Sequence, residues 1–236
     1  MTTRVEELEE VEGASLDPPY DYPAYRSTAL RAPKRPFLVL PAGLEARSAP
    51  VFGEERLGQL DADLTRQHPG APLGERIVVA GRLLDGEGRP IAGKLVEVWQ
   101  ANAAGRYAHS VDDHPAPLDP NFTGYGRCLT GPGGEYRFLT VKPGSYPWAN
   151  HPNAWRPAHI HFSVFGRSFP ERLVTQMYFP GDPLFPYDPI FNSVGDPSAR
   201  ARMVSHFDLE LTEPGFALGY RYDIVVGGRR PTPVDR

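Results

Sequence analysis

The sequence holds a single cysteine, Cys128, so no disulfide can form within the chain and nothing in it calls for an oxidising compartment. No run of 18 apolar residues occurs, so no helix is expected to span a membrane. The acidic start, MTTRVEELEEVEG, lacks the apolar stretch of a secretory signal, and a cytoplasmic location is expected. Lys and Arg form no cluster able to track phosphates and the formal net charge is -4, which argues against a nucleic-acid partner. Long helical periodicity is also missing. The 24 glycines and 27 prolines favour turns and disfavour long helices. Cys128, within Gly-Arg-Cys-Leu-Thr, has no helix start beside it and reads as an ordinary thiol.

What is present is a set of short strand patterns. Arg76 to Leu84 reads as a strand followed by a turn at Asp85-Gly86-Glu87-Gly88, and Leu95 to Trp99 as a second strand. The turn Gly131-Pro132-Gly133-Gly134 precedes a strand at Glu135 to Val141, and further strands are expected at 159–165, 173–179, 206–211 and 219–226. Asp196-Pro197-Ser198-Ala199-Arg200 is the one good helix start, with Asp able to cap and Pro suited to the first helical position. The pattern predicts an all-β sandwich, residues 51–236, preceded by an extended N-terminal arm, residues 1–50, that is acidic and then proline-rich with an apolar run at Phe37-Leu38-Val39-Leu40. Two long loops, about 100–130 and 142–158, are where function is expected.

The chemistry starts at His159-Ile160-His161-Phe162-Ser163-Val164. Side chains alternate along a strand, so Ile160, Phe162 and Val164 point to the core while His159 and His161 share the opposite face, one pleat repeat apart. Two such imidazoles can converge on a metal, or can simply be polar residues on a solvated face. No second cysteine exists for a thiolate zinc site. Tyr107 and Tyr146 lie in the flanking loops, and a phenolate suits a trivalent metal better than the divalent ions imidazoles usually draw. Each tyrosine could equally be a packed aromatic. His109 and His114 flank Asp112-Asp113 and imitate a metal cluster, but the stretch reads as a surface connection.

Several stretches in one order carry a resemblance: Leu95 to Asn102, Pro117 to Phe122, Gly126 to Thr130, Lys142 to Trp148, Arg156 to Phe162 and Thr175 to Phe179. Together they make the chain similar to the intradiol ring-cleavage dioxygenases over about residues 20 to 230. The resemblance is weakest in the first 15 residues and in 193–217. It implies one non-haem Fe(III) per chain, held by the phenolates of Tyr107 and Tyr146 and the imidazoles of His159 and His161, with Tyr146 and His161 axial and Tyr107, His159 and a hydroxide equatorial. It implies that Arg156 stabilises negative charge on the bound substrate, that Gln176 orients groups around it, and that Tyr146 takes part in catalysis. Trp148 and Ile190 match pocket walls, and Tyr25 matches a residue that meets the substrate carboxylate. Read on its own, Arg156 could instead be a surface arginine stacked on Trp155, and Gln176 a satisfied strand residue.

The reaction so implied opens protocatechuate between its two hydroxyls with dioxygen, giving 3-carboxy-cis,cis-muconate in aromatic catabolism. The partner implied is a homologous α chain that lacks the iron ligands but lines the pocket, in a hetero-oligomer. Three other readings compete. Catechol or hydroxyquinol could be the substrate, although relatives that use them carry a helical dimerisation segment and no 3.6-periodic stretch of that size precedes Arg76. A non-catalytic β-sandwich subunit needs no iron. A zinc hydrolase needs a third ligand, and no carboxylate stands at a convincing spacing.

Overall fold

The computed structural model describes residues 16–36, 57–165 and 172–235. The apolar run Phe37 to Leu40 and the acidic first dozen residues lie outside that range. Among the described residues no helix is long and apolar enough to cross a membrane.

Two sheets form the body. In the first, β1 (Arg76–Asp85) pairs antiparallel with β4 (Glu135–Val141) on one side. On its other side it pairs parallel with β10 (Leu218–Arg221) and then β11 (Ile224–Val226), and β9 (His206–Phe207) adds to β10. The second sheet has the order β3 (Tyr125–Leu129), β2 (Leu95–Trp99), β7 (His159–Phe165), β8 (Arg172–Tyr178), all antiparallel. Between them lies one apolar core: Ile77, Val79, Leu83, Phe138 and Ile224 from the first sheet face Val96, Val98, Ile160, Phe162 and Met177 from the second. The architecture is a β-sandwich, as the strand pattern predicts.

Phe162 is fully buried, with its ring against those of Tyr222, Tyr136 and Phe138 at centroid distances of 5.3, 5.7 and 6.4 Å. Phe162→Ala is expected to remove about 3–5 kcal/mol from the unfolding free energy, the usual loss for a buried aromatic, as read from a shift in the urea midpoint.

The structure corrects several strand boundaries. The first long loop contains β3, an edge strand whose Gly126 lies against the Leu64 side chain and which lacks the β-branched alternation that would reveal it. The strand expected at 206–211 stops at Phe207, because the Asp208 carboxylate accepts the Glu210 and Leu211 amides and turns the chain. The strand expected at 219–226 is interrupted at Tyr222-Asp223. There Gly81 meets the Tyr222 carbonyl too closely for any Cβ, and Asp223 Oδ1 accepts the Arg82 amide in place of a ladder bond. The helix at 196 forms as expected: Asp196 accepts from Ser198 N and Ala199 N ahead of α3 (Pro197–Ala201). Two short helices have weaker sequence signals, α1 (Thr28–Arg31) in the arm and α2 (Pro189–Ser193). The second long loop carries a minimal ribbon of β5 (Tyr146–Pro147) and β6 (Trp155–Arg156).

Candidate metal centre

The site grows from the alternation along β7. Ile160 and Phe162 enter the core, and His159 and His161 stand on the outer face of the second sheet. Strand register sets their neighbours. Trp99 of β2 and Gln176 of β8 lie opposite His161, and Tyr178 lies opposite His159. Trp99 stacks flat on the His161 ring, with centroids 4.8 Å apart and planes 3° from parallel. The two imidazoles meet at 4.9 Å and 76°.

Loops supply the tyrosines. Asn102 organises the first: its Oδ1 accepts from Ala104 N and Arg106 N, and its Nδ2 donates to the Pro117 carbonyl. The second loop is laid directly on it, since the Gly144 amide donates to the Asn102 carbonyl. A Cβ at Gly144 would meet the Ala103 carbonyl at 2.5 Å, and one at Gly105, whose φ is +78°, would meet the Ser145 carbonyl at 2.3 Å. Glycine at both positions lets the two backbones touch. This close approach sets Tyr107 edge-on to Tyr146, with ring centroids 5.5 Å apart at 84°. Tyr146 Oη then lies 3.3 Å from His159 Nε2. The structure therefore brings Tyr107, Tyr146, His159 and His161 into one cluster. The Asp112 carboxylate is used inside its own loop, accepting Tyr107 N and His114 N.

The donor set fits a trivalent cation. His159 Nδ1 donates to the Pro157 carbonyl at 2.7 Å, which leaves its Nε2 with a lone pair aimed at Tyr146. Burial, then the nearby Arg156 charge, holds His159 neutral well below the ordinary imidazole range and takes His161 down to about 3. Both rings are thus held as neutral donors. Burial pushes both phenols above the ordinary tyrosine value, Tyr107 strongly, reinforced by Tyr146, and Tyr146 less because Arg156 counteracts it. Ionising two neighbouring buried phenols requires a strong positive charge between them. Tyr107 Oη is buried with no hydrogen-bond partner of good geometry, an arrangement that a bound cation completes. Among the described residues no three His, Cys, Asp or Glu side chains gather to hold a metal, so any ion here depends on the phenols.

Arg156 is 3 % exposed and does not stack on Trp155, which is 41 % exposed. Its guanidinium lies over the Trp148 ring at 5.6 Å instead. Nε sits 3.2 Å from both oxygens of the buried Asp188 carboxylate, and Nη2 donates to Gln176 Oε1 and, at 3.1 Å, to Tyr178 Oη. Burial disfavours the charge, but the oxygens of Tyr178 and Asp188 more than offset this, and the group is held above its ordinary value. Gln176 is unambiguous in orientation: Oε1 faces the cation and Nε2 faces the Asp235 carboxylate. Tyr25 meets the Trp148 ring edge-on at 5.3 Å, and Asn150 ties that part of the arm down by accepting Arg26 N and donating to the Ala24 carbonyl. Ile190 is buried on α2 and joined to Arg156 through Asp188, whose Oδ1 accepts the Ile190 amide.

Sequence reasoning missed Asp188, Tyr178 and Trp99. Asp188 carries a partial signal, because Asp before Pro189 is a helix start, but nothing in the sequence ties it to Arg156. Trp99 and Tyr178 become site residues only through register.

A sandwich carrying two phenols and two imidazoles over a buried guanidinium defines a class, and comparison with known proteins agrees with it. A profile described as "Dioxygenase" matches residues 47–228, and one described as "Protocatechuate 3,4-dioxygenase beta subunit N terminal" matches 18–42. The chain belongs to the intradiol ring-cleavage dioxygenase family. Within it, the chain is 61% identical to the protocatechuate 3,4-dioxygenase beta chain of Burkholderia cepacia, over 93% of this chain and 94% of that one. It is 29% identical to the protocatechuate 3,4-dioxygenase alpha chain of Pseudomonas putida, over 84% and 90%. A solved structure of 3-chlorocatechol 1,2-dioxygenase from Rhodococcus opacus shares the fold, with a TM-score of 0.55 at 24% identity over 76% of this chain and 70% of that one.

Proposed function

We propose that Tyr107, Tyr146, His159 and His161 hold one non-haem ferric ion per chain, and that the site opens protocatechuate between its hydroxyls with dioxygen to give 3-carboxy-cis,cis-muconate. The observation that carries this reading is the gathering of two buried phenols and two neutral imidazoles beside a buried, fully engaged guanidinium. Held by these four residues, ferric iron would supply electron withdrawal that opens the catechol ring to dioxygen.

The chain's own residues do the rest. Tyr146 Oη takes a proton from a catechol hydroxyl as the substrate binds. Arg156 faces the developing negative charge with a guanidinium that Asp188, Gln176 and Tyr178 already fix, so no reorganisation is needed. Trp148 and Ile190 wall the pocket and exclude water. Tyr25 is half-buried against Trp148 and, in this reading, meets the substrate carboxylate. The arm, residues 1–50, then bridges the catalytic domain, 51–236, and a homologous α chain in a cytoplasmic hetero-oligomer.

Turnover of protocatechuate and of plain catechol, compared by oxygen uptake and product absorption, tests the substrate. Protocatechuate is expected to give the higher kcat/KM and a carboxymuconate; equal or faster cleavage of catechol removes the assignment.

A further inference from the structure

His161 is the ligand candidate with an unanswered proton. A neutral imidazole carries one N–H, and the nitrogen that binds a metal must be the other one. For His159 the Pro157 carbonyl settles the matter. His161 Nδ1 is buried and has no partner at hydrogen-bond distance, but Asp235 Oδ2 stands 3.8 Å away. The two side chains are 14% and 18% exposed, so water screens the approach poorly.

The carboxylate arrives there by an unusual route, from the C-terminal tail. Thr232 N donates to the Val225 carbonyl on the first sheet, and Thr175 Oγ1 on β8 donates to the Pro233 carbonyl. Val234 N donates to Asp17 Oδ1 of the arm, and Asp235 N donates to the Val174 carbonyl. These bonds strap residues 232–235 across the end of the sandwich and along β8. Asp235 Oδ2 also accepts Gln176 Nε2 at 2.6 Å, and Gln176 is the register partner of His161. One oxygen with two lone pairs can serve both donors.

We propose that Asp235 is a positioning residue for the metal centre, its carboxylate accepting the His161 Nδ1 proton and so presenting Nε2 to the ion. The inference rests on the iron reading of the site. The division of labour is clear: Trp99, stacked flat on the ring, fixes the plane of His161, and Asp235 fixes which edge turns inward. A cation on Nε2 would withdraw electron density from the ring and make Nδ1–H a stronger donor toward Asp235 Oδ2, 3.8 Å away. The same carboxylate, through Gln176, is joined to Arg156, so the tail ties the ligand side of the pocket to its cationic side.

The test uses the full-length chain in its native assembly, with iron(III) retention measured by chelator competition and the visible band recorded alongside. Asp235→Ala is expected to weaken iron retention 10- to 100-fold, the usual effect of losing the outer partner of a ligating histidine, and to shift the band with little change in melting temperature. Asp235→Asn keeps an acceptor oxygen without the charge, and is expected to fall between Asp235→Ala and wild type. Variants that lower the melting temperature but hold iron as tightly as wild type, with the same band, assign the tail a purely structural role and overturn the inference alone. A wild-type chain that takes up no iron overturns the iron reading and this inference with it.

Discussion

Arg156→Ala is expected to lower the unfolding free energy by about 3–5 kcal/mol, because it leaves the Asp188 carboxylate buried without its counter-ion. Asp188 is 0% exposed and Arg156 3%, so no water is at hand to solvate the abandoned charge. The loss extends further than one pair. Gln176 Oε1 keeps only the Tyr178 hydroxyl as donor, Tyr178 Oη loses the Arg156 donor, and Asp188 is also the cap of α2, which carries Ile190. On activity, removing a fixed cation from the reacting centre is expected to reduce kcat by about 10²–10³. Arg156→Lys should rescue stability in part and activity poorly, since a single ammonium cannot reach Asp188, Gln176 and Tyr178 together. Urea denaturation and steady-state kinetics of the two variants check both halves; an alanine variant as stable as wild type would mean that the pair carries no weight in the fold.

Tyr107→Phe is expected to separate stability from metal binding in opposite directions. The substitution deletes one buried hydroxyl that has no well-placed partner and leaves the ring packed edge-on to Tyr146. Relief of an unsatisfied buried group is worth up to about 1–3 kcal/mol, so the iron-stripped variant should unfold at the same or higher denaturant concentration than iron-stripped wild type. Iron retention, in contrast, should collapse, because an anionic ligand has gone and the remaining phenolate cannot balance a trivalent ion. Iron content after dialysis against a chelator, set beside the denaturation curve, reads both. A variant that keeps its iron removes Tyr107 from the ligand set.

The parts of this molecule legible in its sequence are those governed by a local period. Residues 159–164 announce their strand and the sharing of one face by His159 and His161, because alternation fixes the direction of each side chain. Asp196-Pro197 announces its helix for the same local reason. The tyrosines are different. Loop residues have no period to aim them, and the meeting of Tyr107 with Tyr146 depends on Gly105 and Gly144 letting two backbones touch. Only resemblance to known sequences assigns them a ligand role. The Arg156 partner Asp188 lies 32 residues along the chain, and the Gln176 partner Asp235 lies 59, separations that no spacing rule covers. The edge strand at Tyr125–Leu129 is hidden because two of its five residues are exposed and one is glycine.

The proposed centre joins two tyrosinates and two imidazoles of this chain to ferric iron. The most direct test is the visible absorption spectrum of the purified, iron-replete protein, taken without oxygen before and after protocatechuate is added. Tyrosinate-to-iron(III) charge transfer predicts a reddish-brown protein whose broad band shifts when the catechol displaces a ligand. A colourless protein that nonetheless contains one iron per chain would contradict it.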